Sequence, residues 1–152
     1  MPEERETCID LWLAVLAARD GQGQDSVVAE RARGKFDRPL VRFAVVGEEP
    51  VGFALTVDAG HSSDRRIAML ELLAVTPSET GRGFGRMLLN DAVQSATEIG
   101  YLTMELHVRA GNLRAESLYT DSGFMPWGNP APHPLGGPPM IKYARELPGL
   151  ND

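Results

Sequence analysis

The stretch 79-ETGRGFGRMLL-89 has glycine at three alternate positions, Gly81, Gly83 and Gly85, directly before an apolar segment. Glycine has no Cβ, so it can adopt left-handed backbone conformations and lets another group approach the main chain closely. The first N–H groups of a helix lack partners within the helix and therefore bind anions well. The stretch predicts a turn at a helix N-terminus that can hold the phosphate of a nucleotide-like ligand.

The segments on both sides of this turn support that interpretation. The preceding run, 67-IAMLELLAV-75, is apolar at nearly every position, which is typical of a central strand. The following segment, from Gly85 to Gly100, has its apolar residues on one stripe and predicts an amphipathic helix. The turn therefore joins a buried strand to a helix.

The rest of the chain predicts a mixed order of helices and strands. Residues 40–60 contain two Val- and Phe-rich runs around GEEP, which is a hairpin signal. This order predicts an α/β (α+β) fold whose first two strands pair antiparallel. The chain should form a single domain, 1–152, with flexible tails at about 1–6 and 148–152. The other predicted elements are helices at 7–19 (with Thr7 as a cap) and 26–36, a strand from 101, a short helix stopped by Gly123, a Pro- and Gly-rich loop at 125–139, and a last strand from 140.

The composition narrows the class of protein. The 152 residues are 43% hydrophobic and 24% charged, which is ordinary for a globular domain. The net charge of -6 does not favour an extended nucleic-acid surface. No apolar run approaches the roughly 18 residues of a membrane span, and the acidic N-terminus lacks the basic start of a signal peptide. We expect a cytoplasmic protein that binds neither nucleic acid nor membranes.

Cysteine and histidine usage gives no sign of a metal site or a disulfide. The single cysteine, Cys8, cannot form an internal disulfide, and we expect it to pack as a small apolar residue. The three histidines, His61, His107 and His133, lie far apart without paired ligand spacing. We therefore expect no metal cofactor.

Two well-known phosphate-binding turns do not fit the glycine pattern. A dinucleotide-binding fingerprint that starts at Gly83 requires a third glycine at Leu88. A P-loop requires Lys and then Ser or Thr after its last glycine, where this chain has Arg86 and Met87. Neither alternative explains the turn.

The turn does resemble the acyl-CoA-binding loop of the GNAT superfamily of N-acetyltransferases. The family pattern, Arg/Gln-x-x-Gly-x-Gly/Ala between a strand and a helix, corresponds to Thr80–Gly85, with Thr80 at the usual Arg or Gln position. A second stretch, 106-LHVRAGNLRAESLYTDSGF-124, is similar to the later segment of the family, in the expected order and separation. Its matching residues are Asn112, Ala115, Leu118, Tyr119, Gly123 and Phe124.

This resemblance implies a fold and a cosubstrate. The fold is a mixed, mostly antiparallel central sheet with splayed central strands, flanked by helices on both faces. Acetyl-CoA would place its pantetheine arm in the splay and its diphosphate on the N–H groups of the glycine turn, with an N–H near Val75 polarising the thioester carbonyl. The implied cosubstrate-binding residues are Leu73, Ala74, Val75, Thr80, Gly81, Arg82, Gly83, Phe84, Gly85, Arg86, Asn112, Ala115 and Tyr119.

The implied reaction is direct transfer of an acetyl group to a primary amine, which must be neutral to attack. His107 lies where the ribosomal-protein alanine N-acetyltransferases of the family commonly carry a proposed base, and is our first candidate for that role. Glu71 is the second candidate, on the expectation that it shares a strand face with Leu73 and Val75; it could instead bind the cation of the acceptor or pair with an arginine. Tyr119 matches the tyrosine that donates to the departing sulfur.

The identity of the acceptor stays open between a small molecule and a peptide N-terminus. Two other functions are alternatives. The protein could transfer a longer acyl group, or it could be a non-catalytic module that senses CoA or serves as a partner subunit. The presence of Thr80 in the loop supports the non-catalytic module. The resemblance also allows a homodimer. Residues that could line an acceptor pocket are Trp12, Asp58, His61, Asp64, Trp127 and His133.

Overall fold

A computed structural model describes residues 2–20, 26–62, 65–133 and 138–148. In these residues, four α-helices and six strands follow one another; the mixed order, the four helices and five of the six strands agree with the sequence prediction. The helices are α1 (Pro2–Asp20), α2 (Ser26–Lys35), α3 (Phe84–Ile99) and α4 (Leu113–Asp121). The strands are β1 (Leu40–Val46), β2 (Gly52–Ser62), β3 (Arg65–Val75), β4 (Thr103–Arg109), β5 (Met125–Pro126) and β6 (Met140–Glu146).

The strands form one mixed sheet in the order β1-β2-β3-β4-β6-β5. β3 and β4 pair in parallel, and all the other neighbouring strands pair antiparallel. The two strands at the centre can be parallel because the chain crosses from β3 to β4 through α3, the connection that parallel neighbours require. The expected antiparallel hairpin, the central position of β3 and the mostly antiparallel sheet are confirmed.

Each face of the sheet is covered by helices. α3 and α4 cover one face and enclose the α3-side core, in which α3 contributes its apolar stripe. α1 and α2 cover β1 to β3 on the other face and enclose the α1-side core. The α3-side core contains Ala54, Ala68, Leu70, Leu88, Leu89, Ala92, Ala96, Tyr101, Met104, Leu106, Val108, Tyr119, Phe124, Tyr143 and Leu147. The α1-side core contains Cys8, Ile9, Leu11, Ala32, Phe36, Phe53, Leu55, Val57, Leu72 and Ala74.

Three local predictions require correction. α1 begins at Pro2, so Thr7 lies inside the helix rather than capping it, and residues 2–6 are helical rather than a tail. Proline suits the first turn of a helix because the missing N–H would have no partner there. Ile99, placed on the buried stripe of α3, is half exposed in the last turn. The predicted loop after α4 contains the two-residue strand β5.

A β-bulge in β3 determines how the centre of the sheet opens. The partners of the adjacent β2 residues 55 and 56 are Leu72 and Leu70, so Glu71 between them is an extra residue. A bulge bends its strand and increases the local twist. It also reverses the alternation of faces: Leu70 belongs to the α3-side core, whereas Leu72, two positions later, belongs to the α1-side core.

β3 and β4 separate at this bulge. Their pairing runs from Ile67 with Thr103 to Leu70 with Leu106 and is not continued by the remaining residues of either strand. Beyond Leu70, β3 remains paired with β2, while β4 remains paired with β6. The carboxyl ends of the two central strands therefore diverge, as the predicted splay requires.

None of the helices in the described ranges combines the length and apolar character needed to cross a bilayer.

Candidate active site

A cleft of about 1330 Å³ opens where β3 and β4 diverge. It reaches from the glycine turn and α4 on the α3 side of the sheet to α1 and α2 on the other side. The ends of two neighbouring strands thus form its middle, and helices from both layers form its two ends. A long, thin molecule can pass through the sheet at this point.

The glycine turn forms the α3-side end of the cleft. Gly81 and Gly83 have φ of 88° and 83°, in the left-handed region that L residues seldom adopt. A Cβ built on either residue would meet no atom within 4 Å, so it would project into open space. The backbone conformation therefore favours glycine at both positions, and the space beside them is open.

The first turn of α3 supplies backbone donors to this cradle. Gly83 is the N-cap of α3 and has no side chain to satisfy the first N–H groups, while its carbonyl accepts from Met87 N at 3.0 Å. Phe84, Gly85 and Arg86 occupy the first helical positions, where N–H groups have no partner within the helix. The turn therefore combines the positive end of a helix dipole with converging N–H donors, which suits a phosphate group.

Side chains around the turn form local polar contacts. Thr80, at the position where the family pattern has Arg or Gln, donates its hydroxyl hydrogen to Pro77 O at 2.9 Å. Arg82 forms an ion pair with Glu79 at 3.1 Å, and Arg86 lies 3.7 Å from Asp121 on α4. These ion pairs are largely exposed and contribute little stability. The Arg86 pair does bring a cation to the mouth of the cradle.

α4 positions Tyr119 in the cleft. Asn112 caps the helix by accepting a hydrogen bond from Ala115 N at 3.4 Å, as expected of an Asn at that position. Glu116 then joins the helix to the sheet, since its carboxylate accepts from Tyr143 Oη at 3.0 Å and from Gly111 N at 3.2 Å. Tyr119 is buried, with its ring near those of Phe124 and Tyr143 in the α3-side core.

His107 projects from β4 into the cleft on the α2 side. Its neighbour in sequence, Val108, packs in the α3-side core, so His107 lies on the opposite face of the strand. The side chain is exposed, yet the cleft walls desolvate the imidazole and lower its pKa below the usual 6.5; the Glu71 carboxylate acts in the opposite direction. A neutral imidazole is therefore the main form at pH 7, and it can accept a proton.

Glu71 lies at the bulge, and its expected orientation requires correction. Leu73 and Val75 pack against the α3-side core, whereas the Glu71 carboxylate contacts cations on the α2 side. The bulge explains the difference, because it breaks the two-residue alternation on which the expectation depended. Glu71 forms ion pairs with Arg38 and, at 3.7 Å, with Lys35, so the alternative of pairing with an arginine is confirmed.

Most of the predicted site residues line the cleft together. Arg82 does not, because its guanidinium faces Glu79 instead. The residues that do are Glu71, Leu73, Ala74, Val75, Thr80, Gly81, Gly83, Phe84, Gly85, Arg86, His107, Asn112, Ala115 and Tyr119.

The suggested acceptor residues divide into two groups. Trp12 and His133 line the cleft. Asp58 lies elsewhere, with its carboxylate 2.6 Å from Tyr101 Oη, and neither His61 nor Trp127 is part of the cleft lining. Asp64 lies outside the described residues.

Sequence reasoning missed four cations that line the cleft, Arg31 and Lys35 of α2, Arg109 of β4 and Arg114 of α4. Arg31 and Lys35 are four residues apart, which places them on one helix face, and this spacing was the available signal. Burial lowers the pKa of Lys35, while the nearby Glu71 carboxylate raises it in partial compensation. Arg109 had no local signal, because only the sheet brings it near α2.

The described part of the chain contains no group of three or more His, Cys, Asp or Glu side chains arranged to hold a metal ion. Cys8 is buried in the α1-side core, where burial and then the nearby Glu4 raise its thiol pKa to about 12. The expectation that Cys8 packs as an apolar residue is confirmed.

Comparison with known proteins gives a consistent result. The model of a family described as Acetyltransferase (GNAT) family matches residues 6–124. Mycothiol acetyltransferase from Pseudarthrobacter chlorophenolicus is 30% identical over 132 residues, which cover 78% of this chain and 39% of that protein. [Ribosomal protein bS18]-alanine N-acetyltransferase from Salmonella typhimurium is 42% identical over 57 residues, 38% of each chain. The matched residues thus cover less than half the length of either relative.

The fold is shared with solved structures. One is the PaiA N-acetyltransferase from Thermoplasma acidophilum, solved in complex with coenzyme A. It superposes with a TM-score of 0.70 at 20% identity, over 95% of this chain and 94% of that one. At this identity, the likeness concerns the architecture of the sheet and helices.

Proposed function

Because this chain belongs to the acetyltransferase (GNAT) family, we propose that it transfers the acetyl group of acetyl-CoA directly to a primary amine. The acceptor is a small molecule or a peptide N-terminus. The observation that carries the proposal is the divergence of β3 and β4 into a cleft that contains the glycine turn at one end and Tyr119 in its wall.

The cleft residues suit acetyl-CoA. The edge of β3 from Glu71 to Val75 that faces the gap is available for strand-like hydrogen bonds to the two amides of the pantetheine arm. The diphosphate fits the glycine turn, where the left-handed residues keep side chains out of the cradle and the first N–H groups of α3 are donors. We assign Leu73 and Val75 to the arm, and an N–H near Val75 to the thioester carbonyl.

The reaction requires a neutral amine. At pH 7 a lysine-like amine of pKa about 10.4 costs roughly 4–5 kcal/mol to deprotonate, and an α-amine near 8 costs about 1–1.5 kcal/mol. We assign the acceptance of this proton to His107, directly or through water, because its lowered pKa keeps the imidazole neutral. Glu71 is already engaged by Lys35 and Arg38, and we assign it the role of holding these cations.

Tyr119 is the proposed donor to the departing sulfur. The amine attacks the thioester carbon, the carbon–sulfur bond breaks, and the CoA thiolate requires a hydrogen bond or a proton. Full transfer from a phenol of pKa near 10 to a thiol of pKa near 8.5 is uphill by about 2 kcal/mol, so a hydrogen bond is the expected contribution. The placement of Tyr119 on a capped helix that Glu116 ties to β6 suits such a fixed donor.

The names of the relatives support both acceptor classes. One matched relative is named for mycothiol acetylation and another for acetylation of an alanine in ribosomal protein bS18.

The test is thiol release from acetyl-CoA in the presence of a panel of small amines and an N-terminal peptide library. Amine-dependent CoA release supports transferase activity and sorts the acceptors. Tight CoA binding without CoA release in the presence of any amine would instead support a non-catalytic CoA-binding module.

A further inference from the structure

The α2 side of the cleft is unusually rich in positive charge. Arg31 and Lys35 from α2 and Arg109 from β4 line it, together with the imidazoles of His107 and His133. The chain as a whole carries a net charge of -6, so this local excess runs against the overall balance.

The described residues that line this side contribute little negative charge. Among the described residues that line it, Glu71 is the one carboxylate, and it is shared between Lys35 and Arg38. The other lining carboxylates, Glu79 and Asp121, lie by the glycine turn and α4, where they pair with arginines.

The cations are close enough to affect one another. Arg31 and Lys35 stand four residues apart on α2, a like-charge arrangement that costs a helix stability. The pKa of His133 is lowered first by desolvation and then by Arg109, Arg31 and Lys35 in turn, which means that all three charges act on one imidazole. Like charges at this spacing lower the stability of the helix. Such destabilising arrangements are expected at functional positions, where they serve binding or catalysis.

The cluster lies at the acceptor end of the cleft rather than at the CoA end. Arg109 follows Val108 on β4, and Val108 packs in the α3-side core, so Arg109 lies on the α2 face with His107. The glycine turn, which is the proposed diphosphate site, is at the other end of the cleft, by α4. The phosphates of the cosubstrate therefore do not account for the charges on α2.

We propose that the acceptor amine carries an anionic group, a carboxylate or a phosphate, that is bound by Arg31, Lys35 and Arg109. This inference rests on the proposed acetyl transfer, whose acceptor class it narrows. Arginine is well suited to the task, because its planar guanidinium binds carboxylate and phosphate oxygens in a bidentate manner. An acceptor with a single positive charge and no anion would instead be repelled by the cluster before it reached His107.

The test measures binding and transfer separately on the CoA-saturated protein. In the binding arm, calorimetry compares N-acetyl-L-leucine with N-acetyl-L-leucinamide, which differ only in the carboxylate and carry no amine. In the transfer arm, CoA release compares L-leucine with L-leucinamide, and O-phosphoethanolamine with ethanolamine, so that the carboxylate and the phosphate are tested separately. Each rate is corrected for the fraction of neutral amine.

A matched pair of variants isolates the cluster. Arg31→Gln removes an exposed cation that lines the cleft, while Arg33→Gln removes an exposed cation of the same helix that instead pairs with Glu6. We expect the wild type to prefer the anionic compound about tenfold or more, Arg31→Gln to lose about tenfold of that affinity, and Arg33→Gln to retain it. The affinity for CoA should be the same in all three proteins.

Equal affinity for the anionic and neutral compounds, no detectable binding of the anionic one, or equal losses in Arg31→Gln and Arg33→Gln would overturn the anion site. If every amine failed to release CoA while the binding preference and its loss in Arg31→Gln persisted, the transferase proposal would fail and the anion site would stand.

Discussion

Substitution of Gly83 tests the proposed diphosphate site with a magnitude that follows from the structure. Gly83 has φ of 83°, so alanine there costs about 1–2 kcal/mol of stability through backbone strain alone. No atom lies within 4 Å of the added Cβ, so there is no clash to relieve. Gly83→Ala and Gly83→Glu should therefore share the same strain and unfold roughly 2–8 °C below the wild type.

The two variants should differ in CoA binding. A carboxylate about 5 Å from one phosphate charge adds roughly 1–3 kcal/mol of repulsion at effective dielectric constants between 80 and 20. Gly83→Glu should thus bind CoA at least about fivefold more weakly than Gly83→Ala in titration calorimetry at low salt. Gly128→Glu is the control for strain and charge, since Gly128 has φ of 78°, has no atom near its Cβ position, and does not line the cleft. Equal CoA affinity of folded Gly83→Glu and Gly83→Ala would refute the assignment of the turn.

Four further substitutions or reactions test the remaining roles. If His107 accepts the proton, the ratio of the wild-type kcat/KM to that of His107→Ala should rise with pH as the imidazole loses its proton below 6.5, and then level off. A ratio that is constant from pH 5 to 8 would show that His107 does not accept the proton. Tyr119→Phe should lower kcat about tenfold or more at saturating acetyl-CoA, with little change in the KM for acetyl-CoA, whereas an unchanged kcat would count against a donor to the sulfur. Glu71→Gln should lower the free energy of unfolding in urea by about 1–3 kcal/mol, because it leaves the partly buried Lys35 without its carboxylate. A variant with unchanged stability and no activity would instead indicate that Glu71 accepts the proton. Cys8 should resist alkylation in the native state at pH 8, since burial holds its thiol pKa near 12, and rapid labelling of folded protein would contradict its placement in the core.

The predictable part of the fold came from local chemistry. The glycine turn and α3 could be predicted because the left-handed glycines, the apolar stripe and the glycine after the last helical residue each require a particular backbone. The cap of α4 by Asn112 follows from local chemistry too, although the sequence resemblance assigned this residue to cosubstrate binding. β5 was not, because a strand of two residues that includes a proline has no periodicity to detect.

The features that sequence reasoning missed depend on contacts between distant segments. The bulge at Glu71 is defined by pairing with β2, and no property of the IAMLELLAV run distinguishes a bulged strand from a regular one. The faces of the residues after the bulge were therefore assigned by simple alternation, which failed for Glu71. The cations on the α2 side come from α2 and β4, which are brought together only when the sheet forms. Acceptor selection was therefore the part of the site least accessible from the sequence.

The most direct test of the central claim is amide hydrogen exchange with and without saturating CoA. CoA should slow exchange in two segments, residues 71–75 of β3 beside the gap and residues 81–86 of the glycine turn, and should leave the β1–β2 hairpin unaffected. Unchanged exchange in both segments at a CoA concentration shown to saturate the protein would contradict the claim that the gap between β3 and β4 holds the cosubstrate.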